Sequence, residues 1–307
     1  MDVGVHLPLA DLGQGLPGGA ELRAYTATAA GLGFTTVSAN DHLVWHRPWL
    51  DGPTALASVA GSAAGMTLAT SIALPAVRHP VVLAKAIASL AVLSDGPVIA
   101  GLGPGSSPDD YRAVGVPFDE RWARFDEGLR LVRALLRGEP TSGGRYYPAE
   151  GIRLDPLPAT APQVWFGSWG SDVRLRRMAA AADGWFASAY NTTPEGFAGA
   201  RTRLDEHLAA AGRDPATFPD AVATAWMYVT HDADEAAHVL ERVLAPLLGR
   251  DPHGLAAQLP VGSPEHCIDL LTAYAAAGAQ RILLWPVHDP ARQLALFAEE
   301  VRPSLPA

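Results

Sequence analysis

Short apolar runs rich in β-branched residues alternate along this chain with longer stretches in which apolar residues recur every three or four positions. The first run is VGVHL (3–7). A helical pattern follows over 20–31, with Leu22, Tyr25, Ala29 and Leu32 on one stripe and Gly33 as its stop. FTTVSA (34–39), MTLATSIAL (66–74) and PVIAGLG (97–103) read as the next three strands, with a helix over 80–93. The clearest helical signal is PFDERWARFDEGLRLVRALLRG (117–138). There Trp122, Phe125, Leu129, Val132 and Leu136 share a face, charges fill the other, and Gly138 ends it.

The alternation continues to the end. QVWFGS (163–168), GWFAS (184–188), AVATAWMYVT (221–230) and QRILLWPV (280–287) read as strands. The patterns over 172–182, 194–211, 232–248 and 290–301 read as the helices after them. Near-continuous apolar strands separated by helices mean a parallel sheet covered by helices. Eight strand–helix units predict a single-domain α/β fold, a (β/α)8 barrel over 1–307; an open doubly wound sheet with an appended domain is the alternative. The Gly- and Pro-rich stretch 141–162 falls between units four and five and reads as an insertion loop, which the barrel reading adds to the pocket walls.

Composition narrows the function. Hydrophobic residues make up 49% of the chain, enough for a large core, and the net charge of -9 argues against a nucleic-acid surface. The single cysteine, Cys267, permits no internal disulfide. No apolar run reaches the ~20 residues that span a bilayer, and the first residues carry no basic, then apolar, leader pattern. The expectation is a cytoplasmic protein without membrane or nucleic-acid partners. Lys85 is the only lysine among many arginines, a bias of GC-rich coding.

Barrel active sites lie at the C-terminal ends of the strands, and several chemically capable residues fall there. Asp41-His42 ends the second strand; the alternative is a helix cap beside a solvated histidine. GLGPGSSPDDY (101–111) is a glycine loop able to approach a ligand, but Pro104 and Pro108 break any dinucleotide fingerprint. In FGSWGSDVRLRRM (166–178), Ser168, Ser171 and the start of a helix suit a phosphate, with Arg174 and Arg177 able to add charge. Arg78 reads as an anion contact or a surface arginine, and His6 as a mouth residue or a satisfied core histidine. His42 and His46 are four apart, but Pro48 and the lack of a third ligand argue against zinc. Trp45, Trp49, Trp165, Trp169 and Trp185 near strand ends could wall a flat ring or pack the rim.

Four segments in order resemble a known family: AAGLGFTTVSANDHL (29–43), the long run from Arg78 to Glu139, VWFGSWGSDVRLRRMAAAADGW (164–185) and VGSPEHCIDLLTAYAAAGAQRILLWP (261–286). The chain resembles the bacterial luciferase-like oxidoreductases over nearly its whole length, and its Asp-His pair is similar to the branch that uses coenzyme F420. The resemblance implies a barrel with F420, or alternatively FMN, across its mouth, and hydride transfer with a small organic substrate. It implies His42 as the acid or base and Asp41 beside the ring. Ser71 and Ile72 would form a cis peptide supporting the ring. Gly103, Gly105 and Ser106 would lie near the ring or substrate, and Gly167, Ser168, Gly170, Ser171 and Asp172 would hold the cofactor's phosphate. It implies no metal, frequent homodimers, and a separate reductase partner if the enzyme is an FMN monooxygenase. SDGP stands where the family usually has S-G-G-R, and Ser106 where its sugar-phosphate dehydrogenases carry Glu, which argues against a sugar phosphate. Two other classes stay open: a metal hydrolase on His6, Asp41 and His42, and a non-catalytic flavin-binding barrel.

Overall fold

A computed structural model describes residues 1–306 of the chain. In chain order the elements are β1 (Asp2–His6), α1 (Gly19–Gly31), β2 (Thr36–Ala39), α2 (Gly52–Val59), β3 (Thr67–Ala73), α3 (Pro80–Leu93), β4 (Val98–Leu102), α4 (Pro108–Ala113) and α5 (Arg121–Leu136). Then come β5 (Gln163–Gly167), α6 (Asp172–Ala181), β6 (Gly184–Ser188), α7 (Pro194–Ala210), β7 (Asp220–Val229), α8 (Ala233–His238), α9 (Ala245–Leu248) and α10 (Pro252–Gln258). The chain closes with β8 (Val261–Gly262), α11 (Pro264–Ala276), β9 (Arg281–Pro286) and α12 (Pro290–Leu296). Strands β1 to β7 pair side by side and in parallel, β9 joins β7 to β1, and the sheet closes into an eight-stranded barrel. The two-residue β8 adds to the far end of β7, where Tyr228 faces Val261.

The expected units all form, with three differences. The helical pattern over 232–248 is interrupted by a π-helical turn at Val239–Leu244, and that over 290–301 ends in a second one at Phe297–Val301. Helices α2, α4 and α10 are short, and too few periods are present in each to mark them in the sequence. The third difference concerns the stretch 141–162. It runs over the outside of α3 and α5: Glu127 accepts the N–H groups of Tyr146 and Tyr147, and Lys85 donates to the carbonyl of Asp155. None of the residues of this stretch is among those lining the cleft, contrary to the sequence expectation.

Two cores hold the barrel. The larger fills the space between strands and helices; α5 buries Phe125, Leu129, Val132 and Leu136 there as its periodicity requires. The smaller fills the barrel itself with Ala69, Ile99, Trp165, Phe186, Ala221, Ala223 and Leu283. Its two large rings fit because glycines face them. A Cβ on Gly101 would stand 2.5 Å from the Phe186 ring and 2.0 Å from the Thr70 carbonyl oxygen, and one on Gly184 would stand 2.5 Å from Trp165. Large side chains opposite residues with none are how a small barrel fills its interior.

Gly101→Ala is therefore expected to destabilise the fold by about 1–3 kcal/mol or more through overpacking. Gly61→Ala, where an added Cβ meets nothing, is expected to leave the unfolding midpoint unchanged. Denaturant unfolding of both variants checks this, and equal midpoints would contradict the packing account.

Candidate active site

The C-terminal ends of the strands surround a cleft. Its walls are dominated by indoles: Trp45 and Trp49 after β2, Trp169 after β5, Trp226 on β7 and Trp285 on β9. Beneath them His6, Trp285 and Trp226 form a stacked column, with ring centroids 3.5 and 3.8 Å apart and interplanar angles of 14° and 13°. Of the tryptophans that the sequence placed near strand ends, Trp45, Trp49 and Trp169 reach the cleft. Trp165 lies inside the barrel, and Trp185 stacks on Phe197 behind β6.

His6 is a structural residue. It is fully buried; its Nδ1 donates to the Leu7 carbonyl at 2.7 Å, and its Nε2 accepts the Asn40 N–H at 2.9 Å. Burial lowers its pKa to about 3. With both nitrogens used, His6 has no lone pair left for a metal. The hydrolase reading, which needed His6, Asp41 and His42 on one ion, loses a ligand.

Residues 40–51, between β2 and α2, have almost no regular structure and are fixed by side chains. Asp41 is buried, and Arg78 grips both its oxygens, Nε to Oδ2 at 2.6 Å and Nη2 to Oδ1 at 2.7 Å. The same guanidinium donates to Asp51, which also caps α2 by accepting the Thr54 N–H. Arg78 is thus neither a surface residue nor a ligand contact; its anions are Asp41 and Asp51. Both Asp41 oxygens accept from Arg78, so Asp41 holds the loop beside the site.

His42 is oriented by Asp110, a residue of α4. The Asp110 side chain is only 1% exposed. Its Oδ2 accepts from His42 Nδ1 at 2.8 Å, and its Oδ1 accepts the N–H groups of Leu43 and Val44 at 2.8 and 3.0 Å. A carboxylate accepts only, so Nδ1 carries the proton and Nε2 of the neutral ring keeps its lone pair. The ring packs against Trp45 and Trp49, at centroid distances of 4.2 and 5.0 Å, and lines the cleft. The solvated-histidine alternative is excluded by these contacts.

The other expected residues fall in two groups. Ser71, Ile72, Gly103 and Gly167 come together at the ends of β3, β4 and β5. The Ser71–Ile72 peptide is cis. Gly103 and Gly167 owe their lack of a side chain to Ile72, whose atoms would lie 2.0 and 2.7 Å from a Cβ at those positions. Gly105 adopts φ 72° over Leu74, and Ser106 lines the cleft. In the loop after β5, Ser168 Oγ accepts the Gly170 N–H and Ser171 precedes α6 without capping it through its hydroxyl. The N–H groups of Arg174 and Leu175 donate to the Ser171 carbonyl, which leaves those of Asp172 and Val173 at the start of α6 to meet an anion. The Asp172 carboxylate is turned away to His207, 2.8 Å distant. Arg177 pairs with Asp126, and Arg174 stacks on Trp122.

Buried polar atoms without partners test whether a flat, polar-edged cofactor suits this mouth. The indole N–H groups of Trp45, Trp49 and Trp226, the Asn40 side-chain oxygen and the Ser71 hydroxyl all lack one. An unmet buried polar group costs about 1–3 kcal/mol, and four of these five belong to residues lining the cleft. They are the donors and acceptors that a heterocycle with carbonyl and N–H edges would satisfy, so the residues fit such a group.

Sequence reasoning missed the role of Asp110, which SPDDY presents as one of two adjacent acids without showing which faces inward. It also missed Thr224, Tyr190, Trp226, Trp285 and Arg250 as lining residues. Thr224 has φ 55°, a left-handed conformation at a non-glycine that no local pattern announces.

The model of the luciferase-like monooxygenase family matches residues 1–253. An F420-dependent hydroxymycolic acid dehydrogenase of Mycobacterium tuberculosis is 29% identical, across 92% of this chain and 84% of its own length. The solved structure of an F420-dependent secondary alcohol dehydrogenase, in complex with an F420–acetone adduct, has a TM-score of 0.87 at 17% identity, covering 100% of this chain and 99% of that one. That of the monooxygenase RslO1 from Streptomyces bottropensis has a TM-score of 0.84 at 24% identity, covering 99% of both. The solved structures confirm the barrel.

The depressed pKa of His6 has a consequence for stability. Between about 3 and 6.5 the unfolded chain binds a proton at His6 that the folded chain refuses, so stability is complete above 6.5 and falls on acidification. The expected slope from this residue is about 1.4 kcal/mol per pH unit. Unfolding free energies measured from pH 7 to 4 should lose that slope in His6→Gln; an unchanged slope would contradict it.

Proposed function

The chain belongs to the luciferase-like monooxygenase family, and from that membership we propose that it is an oxidoreductase that transfers a hydride between coenzyme F420 and a small organic substrate. The observation that carries the reading is the His42–Asp110 pair at the edge of an indole-walled cleft, with Nε2 as its one uncommitted nitrogen. The F420-dependent relative, alike over 92% of this chain, supports the choice of cofactor.

When bound, F420 supplies a carbon centre that accepts or gives a hydride; the protein supplies placement, a proton and dryness. Ser71, Ile72, Gly103, Gly105 and Ser106 would line the ring, and Gly167, Ser168, Gly170 and Ser171 with the start of α6 would hold the phosphate. His42 Nε2 takes a proton from a substrate hydroxyl during oxidation or returns one during reduction. Asp110 keeps Nδ1 protonated, so Nε2 is the nitrogen that exchanges the proton with the cleft. The indoles exclude water and offer flat surfaces to a planar ring. Among the described residues no helix is long and apolar enough to cross a membrane; a cytoplasmic homodimer belongs to this reading.

An FMN-dependent monooxygenase, served by a separate reductase, is the second reading. It is favoured by the likeness to RslO1, a monooxygenase, over 99% of both chains.

His42→Ala is expected to bind F420 as the unaltered protein does and to lose turnover by about 10²–10⁴-fold, the usual worth of a positioned acid–base group. Unchanged turnover would remove His42 from the chemistry. Asp110→Asn is expected to lower turnover and alter its pH profile, because an amide can donate to Nδ1 and turn the lone pair the wrong way. A lower rate with the same pH profile would reduce Asp110 to a loop clamp.

A further inference from the structure

Arg250 stands on the cleft wall opposite in character to the indoles. It follows the π-helical turn Val239–Leu244, α9 and Gly249 in a left-handed conformation, and it lines the cleft with Leu247 and Leu248. No carboxylate is among the lining residues, and Arg250 is the one side chain there that is always charged. That is notable in a chain of net charge -9: acidic residues are abundant and are kept out of this cleft.

The guanidinium is also aimed. Its Nη2 donates to the Asn191 side-chain oxygen at 2.6 Å. The Asn191 amide donates to Ser188 Oγ at 2.9 Å, and Ser188 Oγ lies 2.9 Å from Thr224 Oγ1. Thr224 Oγ1 donates to the Ala223 carbonyl at 2.7 Å. Each hydroxyl has one proton, so the chain runs in a single direction: Arg250 to Asn191 to Ser188 to Thr224 to the backbone. One of the five guanidinium donors is spent on this anchor, and the rest are available to a ligand.

We propose that the substrate is a flat, apolar molecule bearing an anionic group, a carboxylate or its equivalent, which Arg250 binds while the indoles cover the body. The inference deepens the proposed oxidoreductase reading and rests on it for the statement that the cleft holds substrate. It assigns Arg250 to specificity rather than to chemistry. It also fixes orientation: the charged end lies toward the β6–β7 side, and the reacting end lies toward His42. The cofactor's own anionic groups are the other source of the same chemistry, and the test separates them.

The test is calorimetric titration with 2-naphthoate and 2-naphthamide, which share a two-ring body and differ in charge, on the protein with and without saturating F420. The unaltered protein is expected to bind naphthoate about tenfold more tightly or better, the worth of a charge-assisted hydrogen bond. Arg250→Gln, a change at an exposed side chain, is expected to bind both probes alike, at the affinity of the amide, with F420 affinity unchanged. Equal binding of the two probes by the unaltered protein, binding of neither, or a preference that survives in Arg250→Gln would each overturn the proposal. Loss of F420 affinity in Arg250→Gln would also overturn it, by giving Arg250 to the cofactor. A naphthoate preference that depends on Arg250 in a protein that does not bind F420 would uphold the anion site and remove the cofactor assignment instead.

Discussion

One buried carboxylate organises the mouth of this barrel. Asp110 receives three hydrogen bonds, one from His42 and two from the backbone just beyond it. A buried charge must be met by donors or it costs several kcal/mol, so the loop after β2 is bound to α4, some seventy residues later. Asp41, Arg78 and Asp51 do the same at the other side of that loop. Between these two clamps the irregular segment 40–51 acquires a single conformation. His42, Trp45 and Trp49 are placed by it. The site is therefore built by side-chain charges acting on a loop, upon a barrel whose rigidity comes from packing.

The barrel was legible because its signals are periodic. Apolar β-branched runs recur eight times with helical patterns between most of them, and α5 buries the face its spacing marks. The second-strand ending Asp41-His42 was legible as a site for the same reason: in this fold the end of a strand is the mouth. Partnerships were not legible. Nothing in RHP says that Arg78 will be neutralised by a residue 37 positions earlier, and SPDDY does not say which acid turns inward. The stretch 141–162 misled because loop composition does not say whether a loop will line a cleft or pack over the helices, as this one does on α3 and α5.

Glycines near the site serve the fold in a way that their sequence context disguises. A glycine-rich loop invites the reading that a ligand approaches its backbone. At Gly103 and Gly167 the space is taken by Ile72, and at Gly101 by Phe186. The same packing brings the ends of β3, β4 and β5 close enough to form one surface. That surface, the start of α6 and the indole walls leave a cleft whose unmet polar atoms are mainly indole N–H groups, suited to a heterocycle with acceptors on its edges.

These features together point to a cleft made for a hydride-carrying deazaflavin. The most direct measurement is a titration of the purified protein with F420 and, separately, with FMN, following the fluorescence of each ligand. Tight binding of F420 and much weaker binding of FMN are expected. Tight FMN binding with weak F420 binding would contradict that expectation and make oxygen chemistry the better reading.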